Sequence, residues 1–170
     1  MGAVIEQIIG RSWEIGLRDE VLNPLGISPY GFGDLGAGHL TGHRRAGPIW
    51  WPERMDNPED YGPAGRVSLS LRGWGHFLNA HLRPNGFLSG ATVRRLHTPT
   101  RNEFAMGWRG EAASGRRLLM HTGSNTAWFA QAALVPEQGI AVGVVCNAFD
   151  KRVEKAVGEL TRALINPKTV

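Results

Sequence analysis

Apolar positions recur along this chain in two different periods, and the change between them separates a helical first part from a stranded last part. Val4, Ile5, Ile8 and Ile9 share one helix face and predict a short amphipathic helix over residues 3–9, ended by Gly10. Ser12 stands where an N-cap belongs, because its hydroxyl can accept from the free N–H groups of a first turn. It predicts a second helix over Trp13 to Leu22, with Trp13, Leu17 and Val21 on the apolar stripe and Asn23-Pro24-Leu25-Gly26 as the stop. Residues 26–66 keep neither period and are dominated by Gly, Pro, His and Trp, so they read as irregular. A segment of that length within a compact domain is functional or is held by other parts of the protein. Ser68 or Ser70 opens a further helix through Trp74, Phe77, Leu78 and Leu82, closed by Pro84-Asn85-Gly86, and Ser89 caps a shorter one to Leu96.

Beyond residue 100 the pattern becomes that of strands. Phe104 to Trp108, Arg117 to His121, Thr126 to Val135 and Ile140 to Asn147 read as four of them, and Pro136-Glu137-Gln138-Gly139 is the turn of a hairpin. Asp150 caps a closing helix with Val153, Ala156, Val157, Leu160 and Leu164 on one face. The fold class is therefore α+β. Residues 1–100 form a helical and loop-rich region, and residues 101–170 form antiparallel strands with a C-terminal covering helix.

Composition narrows the function classes. With 42% hydrophobic and 20% charged residues, the 170-residue chain can build a packed core. Its single cysteine, Cys146, excludes an internal disulfide and is expected as a buried strand residue. The formal charge of +4 comes from scattered basic residues, with doublets at Arg44-Arg45, Arg94-Arg95 and Arg116-Arg117 but no long run, so no nucleic-acid partner is expected. No stretch of 18 apolar residues is present and no membrane partner is expected. The N-terminus has no basic leader and carries Glu6 within its apolar run, so it does not read as a signal peptide, and the compartment stays open.

Candidate chemistry outside the strands is sparse. His39 and His43 lack a third ligand nearby, so no metal is expected. Gly31, Gly33, Gly36 and Gly38 do not follow a strand and open a helix, which excludes a nucleotide-binding loop, and no cofactor is expected. His76 and His81 read as surface or helix-cap residues, and Trp50-Trp51 as core or loop-packing aromatics.

Several segments, taken in order, resemble one family. Gly2-Ala3-Val4-Ile5-Glu6, Gly10-Arg11-Ser12-Trp13-Glu14 and Pro24-Leu25-Gly26-Ile27 resemble the helical stretch that follows a Tyr-x-Asn motif. Gly62-Pro63-Ala64-Gly65-Arg66-Val67-Ser68, then Trp74 and Phe77-Leu78, looks like a "PAG" turn and its following helix. His121-Thr122-Gly123-Ser124-Asn125-Thr126, with Pro136, Gly139 and an apolar strand ending at Asn147, is similar to a third motif and a terminal hairpin. The family is that of serine β-lactamases and penicillin-binding proteins, in its class C β-lactamase, D-alanyl-D-alanine carboxypeptidase and esterase branch.

The resemblance implies a partial β-lactamase/transpeptidase-like fold and acyl transfer to or from a small ester, amide or β-lactam. It also implies a site at His121, Thr122, Gly123 and Ser124. His121, where the family often has Lys, would hold a substrate carboxylate or move protons, and Thr122 would offer its hydroxyl to the same group. Gly123 would let substrate lie against the strand, and the Ser124 N–H would form half of an oxyanion hole. The family's other two motifs are absent. None of Ser12, Ser28, Ser68, Ser70, Ser89, Ser114 and Ser124 has Lys three residues on, and neither Tyr30 nor Tyr61 begins Tyr-x-Asn. The chain is therefore expected to be the C-terminal portion of such a hydrolase, inactive alone. The alternative is a catalytically dead binding module on the same scaffold. Loss of the strands that would flank Ile140 to Asn147 leaves an open apolar edge, so poor folding alone, or pairing with a complementing N-terminal segment, is expected.

Overall fold

Side-chain caps set the start of each longer element. In the computed structural model, which describes residues 2–33, 40–54, 56–82, 86–113, 116–125 and 127–166, four helices begin at residues with extended backbone whose oxygens accept from their own first turn. Ser12 accepts from Ile15, Ser70 from Gly73, Ser89 from Thr92, and Asp150 from both Arg152 and Val153. The helices are α1 Gly2–Ile9, α2 Trp13–Leu17, α3 Gly62–Gly65, α4 Leu71–Ala80, α5 Gly90–His97 and α6 Lys151–Ile165. After α2 the backbone continues as a wider π turn over Arg18–Leu22, where Asn23 N–H donates to the Arg18 carbonyl at 2.9 Å.

The segment expected to be irregular contains strands. Strand β1 Tyr30–Phe32 pairs with β4 Val67–Leu69, and β2 Gly42–Ala46 forms a hairpin with β3 Ile49–Glu53. β2 also pairs in parallel with β9 Ala148–Phe149, more than 100 positions further on. These strands are short, and apart from the β2–β3 hairpin their partners lie far away in sequence, so little local alternation marks them. Trp50 and Trp51, read as core or loop-packing aromatics, are 37% and 56% exposed on the hairpin, opposite Arg45 and Arg44, so they are not core residues.

Four strands make the main antiparallel sheet in the order β5 Arg109–Ala113, β6 Arg116–Ser124, β7 Phe129–Val135, β8 Ile140–Cys146. Alternation divides its side chains between two packed faces. Leu119, Ala132 and Leu134 meet Leu78 of α4 and Trp108, while Ala133, Val135 and Val142 meet Ile165 of α6. Phe104 to Trp108, read as a strand, is instead a series of turns with isolated bridges. Asn102, Glu103 and Gly107 have positive φ, and Trp108 turns inward to 6% exposure. The covering helix is rolled relative to its sequence pattern. Val157, Thr161 and Ile165 are buried, whereas Leu160 and Leu164 are each 48% exposed. Cys146 is half-buried at the end of β8. Among the described residues β8 pairs with β7 alone, leaving its other edge open, and no helix is long and apolar enough to cross a membrane.

Candidate functional site

The sequence-predicted residues lie together because β6 outruns its neighbour. β5 pairs from Ala113 opposite Arg116 to Arg109 opposite Met120, and stops there. β7 continues alongside β6 from Leu119 opposite Leu134 to Ser124 opposite Phe129. Residues 121–124, all exposed, therefore have β7 on one side and no described strand on the other. Beyond them the Asn125 N–H donates to the Trp128 carbonyl at 3.4 Å. Antiparallel pairs alternate, so the N–H and C=O groups of Ser124 and Thr122 point away from β7, towards the side beyond the end of β5.

His121 stands opposite Ala132 and so on the face of Trp108 and α4. Its Nδ1–H donates to the Gly107 carbonyl at 2.7 Å. A carbonyl can only accept, so this bond places the proton on Nδ1 and leaves Nε2 as the nitrogen that can take or return one. The Trp108 indole meets the ring edge-on at 6.5 Å between centroids, which restricts its rotation. A Cβ at Gly123 would meet nothing within 4 Å, so the glycine answers no packing demand from the described residues; it keeps the strand surface bare. The Asn125 carboxamide oxygen accepts from the Trp128 N–H at 3.0 Å and closes the loop after the site. That loop abuts β2, where His43 N–H donates to the Ala127 carbonyl at 3.1 Å.

Behind Trp108 lies a feature that the sequence did not reveal. His81, the C-cap of α4, and His97, the last residue of α5, are 6% and 1% exposed. His81 Nδ1 and His97 Nε2 share a hydrogen bond of 3.1 Å, with rings stacked at 5.3 Å. Trp108 meets both edge-on, at 5.3 and 6.3 Å. His81, expected at the surface or as a cap, caps the helix from inside the core. The exposed His76 donates at the surface from its Nδ1–H to the Leu25 carbonyl at 3.1 Å.

Burial and the neighbouring His97 push His81 down from 6.5 to about 4, and burial with Arg117 lowers His97 as well. An unfolded His81 binds a proton as pH falls through 6.5, whereas the folded one resists until about 4. Its contribution to stability is thus complete above 6.5 and is lost between 6.5 and 4. That loss should amount to about 3 kcal/mol in urea unfolding free energy. The His81→Asn variant should show a flatter dependence over the same range, and identical slopes would exclude His81 as the cause.

The remaining sequence candidates are placed elsewhere. His39 lies outside the described residues. His43 Nδ1 is 3.1 Å from the Asn147 carbonyl, and no group of three or more metal-ligating side chains occurs among the described residues. A cleft of about 410 Å³ between α4 and β8, walled by Trp74, Leu78, Leu82 and Gly143, does not reach His121. Gly107 and Trp108, the residues that orient His121, carried no separate signal, because a tryptophan in an apolar run reads equally well as a strand residue.

The family model described as Beta-lactamase matches residues 1–166. Among solved structures, the chain is similar to an octameric penicillin-binding protein homologue from Pyrococcus abyssi, with 21% identity and a TM-score of 0.73 over 86% of this chain and 36% of that one. It is similar to a class C β-lactamase from Rhodobacter sphaeroides, with 18% identity and a TM-score of 0.72 over 96% of this chain and 57% of that one. A D-amino acid amidase from Ochrobactrum anthropi is 19% identical, with a TM-score of 0.68 over 95% of this chain and 58% of that one. The 170 residues thus span between 36% and 58% of the length of these three proteins. No curated protein matches the sequence.

Proposed function

Because this chain belongs to the Beta-lactamase family by its match over residues 1–166, we propose that it forms one wall of a serine hydrolase site. That site would act by acyl transfer on a β-lactam, a D-alanyl peptide or another small amide or ester. The observation that supports this reading is the exposed, one-sided end of β6, which presents His121, Thr122, Gly123 and Ser124 in sequence. In the proposed site His121 Nε2 exchanges a proton with the reacting group or binds a substrate carboxylate. The Thr122 hydroxyl binds the same carboxylate, bare Gly123 admits the substrate backbone, and the Ser124 N–H stabilises the developing oxyanion.

The nucleophile comes from residues outside these 170, since none of the seven serines has Lys three positions on. A segment carrying it, from the same polypeptide or a complementing chain, would pair along the open edge of β8 and cover Leu160 and Leu164. The missing Ser-x-x-Lys equally favours a second reading, a catalytically dead binding module using the same edge.

Covalent labelling tests the reading. The 170-residue chain, incubated with a fluorescent penicillin and a fluorophosphonate, should show no adduct by intact mass. The product of the reading frame extended upstream of Met1 should carry Ser-x-x-Lys and Tyr-x-Asn and take one adduct on that serine. An adduct on any serine of residues 1–170 would overturn the assignment of the nucleophile. A stop codon directly upstream would overturn the acyl-transfer reading in favour of the binding module.

A further inference from the structure

We propose that the buried His81–His97 pair is a proton-sensitive latch, which through Trp108 holds the Gly107 carbonyl against His121. The three rings form one cluster, with the imidazoles hydrogen-bonded at 3.1 Å and Trp108 edge-on to each. Trp108 is also edge-on to His121, and the residue before it supplies the carbonyl that fixes His121 Nδ1 at 2.7 Å. Buried pair and exposed site residue are therefore joined through two consecutive residues of one loop.

The neutral pair needs one proton between its facing nitrogens, donated by either ring. A further proton from solvent places a cation in a pocket built of aromatic and aliphatic groups. Phe77 of α4 stands edge-on to His81 at 5.0 Å, and Leu78, Leu119 and Leu134 belong to the same core cluster as Trp108. Of the charged groups that act on the pair, Arg117 on β6 opposes a cation on His97, while Glu137, after β7, favours it more weakly and is itself held by Arg117 in an ion pair of 3.1 Å. The basic Arg94 and Arg95 lie on the last turn of α5 itself, and His121 lies across Trp108. A buried cation without a counter-ion in direct contact draws in water or displaces a wall.

The walls differ in strength. α4, α5, β6 and β7 are regular elements, whereas residues 101–108 are tied by turn bonds, including Met106 N–H to the Leu96 carbonyl at 3.2 Å. Trp108 is the wall that yields. Gly107, at φ +80°, moves with it, and His121 loses the partner that sets its orientation. The latch concerns the position of His121 and does not depend on the acyl-transfer reading; its test reads protons and protection instead of turnover.

The test is hydrogen exchange by mass spectrometry on the full chain from pH 7 to 3.5. Imidazole C2–H exchange follows the titration of His81 and His97. Backbone exchange, corrected for its intrinsic pH dependence, follows the amides of Met106 and Gly110, which donate to Leu96 and Glu103. Protection of these two amides should fall about tenfold or more as the pair takes up its proton, while amides of Ala132 to Leu134 stay protected. In the His81→Asn/His97→Gln double variant, which keeps hydrogen-bonding groups at both positions but cannot titrate, that fall should vanish. An equal fall in the double variant would overturn the proposal. So would a wild-type fall whose midpoint departs from the titration of the pair, a comparison that needs no variant to fold.

Discussion

On the proposed acyl-transfer reading, replacing His121 by alanine should lower acylation by about 10²–10⁴-fold in a polypeptide that joins this chain to a Ser-x-x-Lys segment. The reason is geometric. Gly107 consumes Nδ1 and Trp108 packs edge-on against the ring, so Nε2 is the nitrogen that can exchange a proton. A positioned proton carrier contributes an effect of this size, and the exposed side chain contributes little else. His121→Asn should separate the two roles. Its carboxamide can keep a hydrogen bond to the Gly107 carbonyl but has no group at the place of Nε2. It should therefore unfold at the wild-type denaturant midpoint and remain as slow as alanine. Acylation by a fluorescent penicillin, followed as a rate, checks this. A His121→Asn variant with wild-type acylation would remove proton transfer from the role of His121.

Leu119→Ala should destabilise the fold by about 2–5 kcal/mol, a large share of a domain's total of roughly 5–15 kcal/mol. Leu119 is 0% exposed at the centre of β6 and stands directly opposite Leu134, also 0% exposed. Leu78, Trp108 and Ala132 complete the cluster around them. α4, β7 and the loop carrying Trp108 enclose the deleted side chain, so the cavity left behind adds its own cost to the lost transfer energy. Leu160→Ala is the matching control. At 48% exposure it should change urea unfolding by less than about 0.5 kcal/mol in the chain alone. A large loss at Leu160 with little at Leu119 would contradict the packing described.

The contrast between these two leucines shows how far sequence reading reaches. The sequence placed Leu119 within an expected strand and Leu160 on the apolar face of an expected helix. The helix pattern put Val153, Ala156, Val157, Leu160 and Leu164 on one face; Val157 is buried as that pattern has it, but Thr161 and Ile165 are buried in place of Leu160 and Leu164. A helical stripe spans a range of rotations, and which part of it is covered depends on what packs there. The expected strand from Phe104 to Trp108 failed for a related reason. Its apolar content marks burial correctly at Trp108, but the positive φ of Asn102, Glu103 and Gly107 bends the backbone into turns that no alternation announces. Residues 121–124 could be proposed together from the sequence because they are contiguous on one strand. Gly107, Trp108, His81 and His97 were not, because they converge on that strand from three other segments.

What the sequence determined by itself is what nearby atoms decide. Ser12, Ser70, Ser89 and Asp150 start helices because each oxygen reaches N–H groups two or three residues on. Gly10 and Gly139 end elements because they adopt φ of +67° and +65° without a Cβ to oppose it. The hairpin from β7 to β8 and its register follow from that turn and from the apolar runs on both sides. Tertiary structure decided the rest. It paired β2 with β9, buried two histidines against each other, left Trp50 and Trp51 exposed, and let β6 extend past β5 to open the candidate site. Each of these is a contact between segments distant along the chain. Its free energy depends on the partner's position, and no local pattern of polar and apolar residues encodes that position.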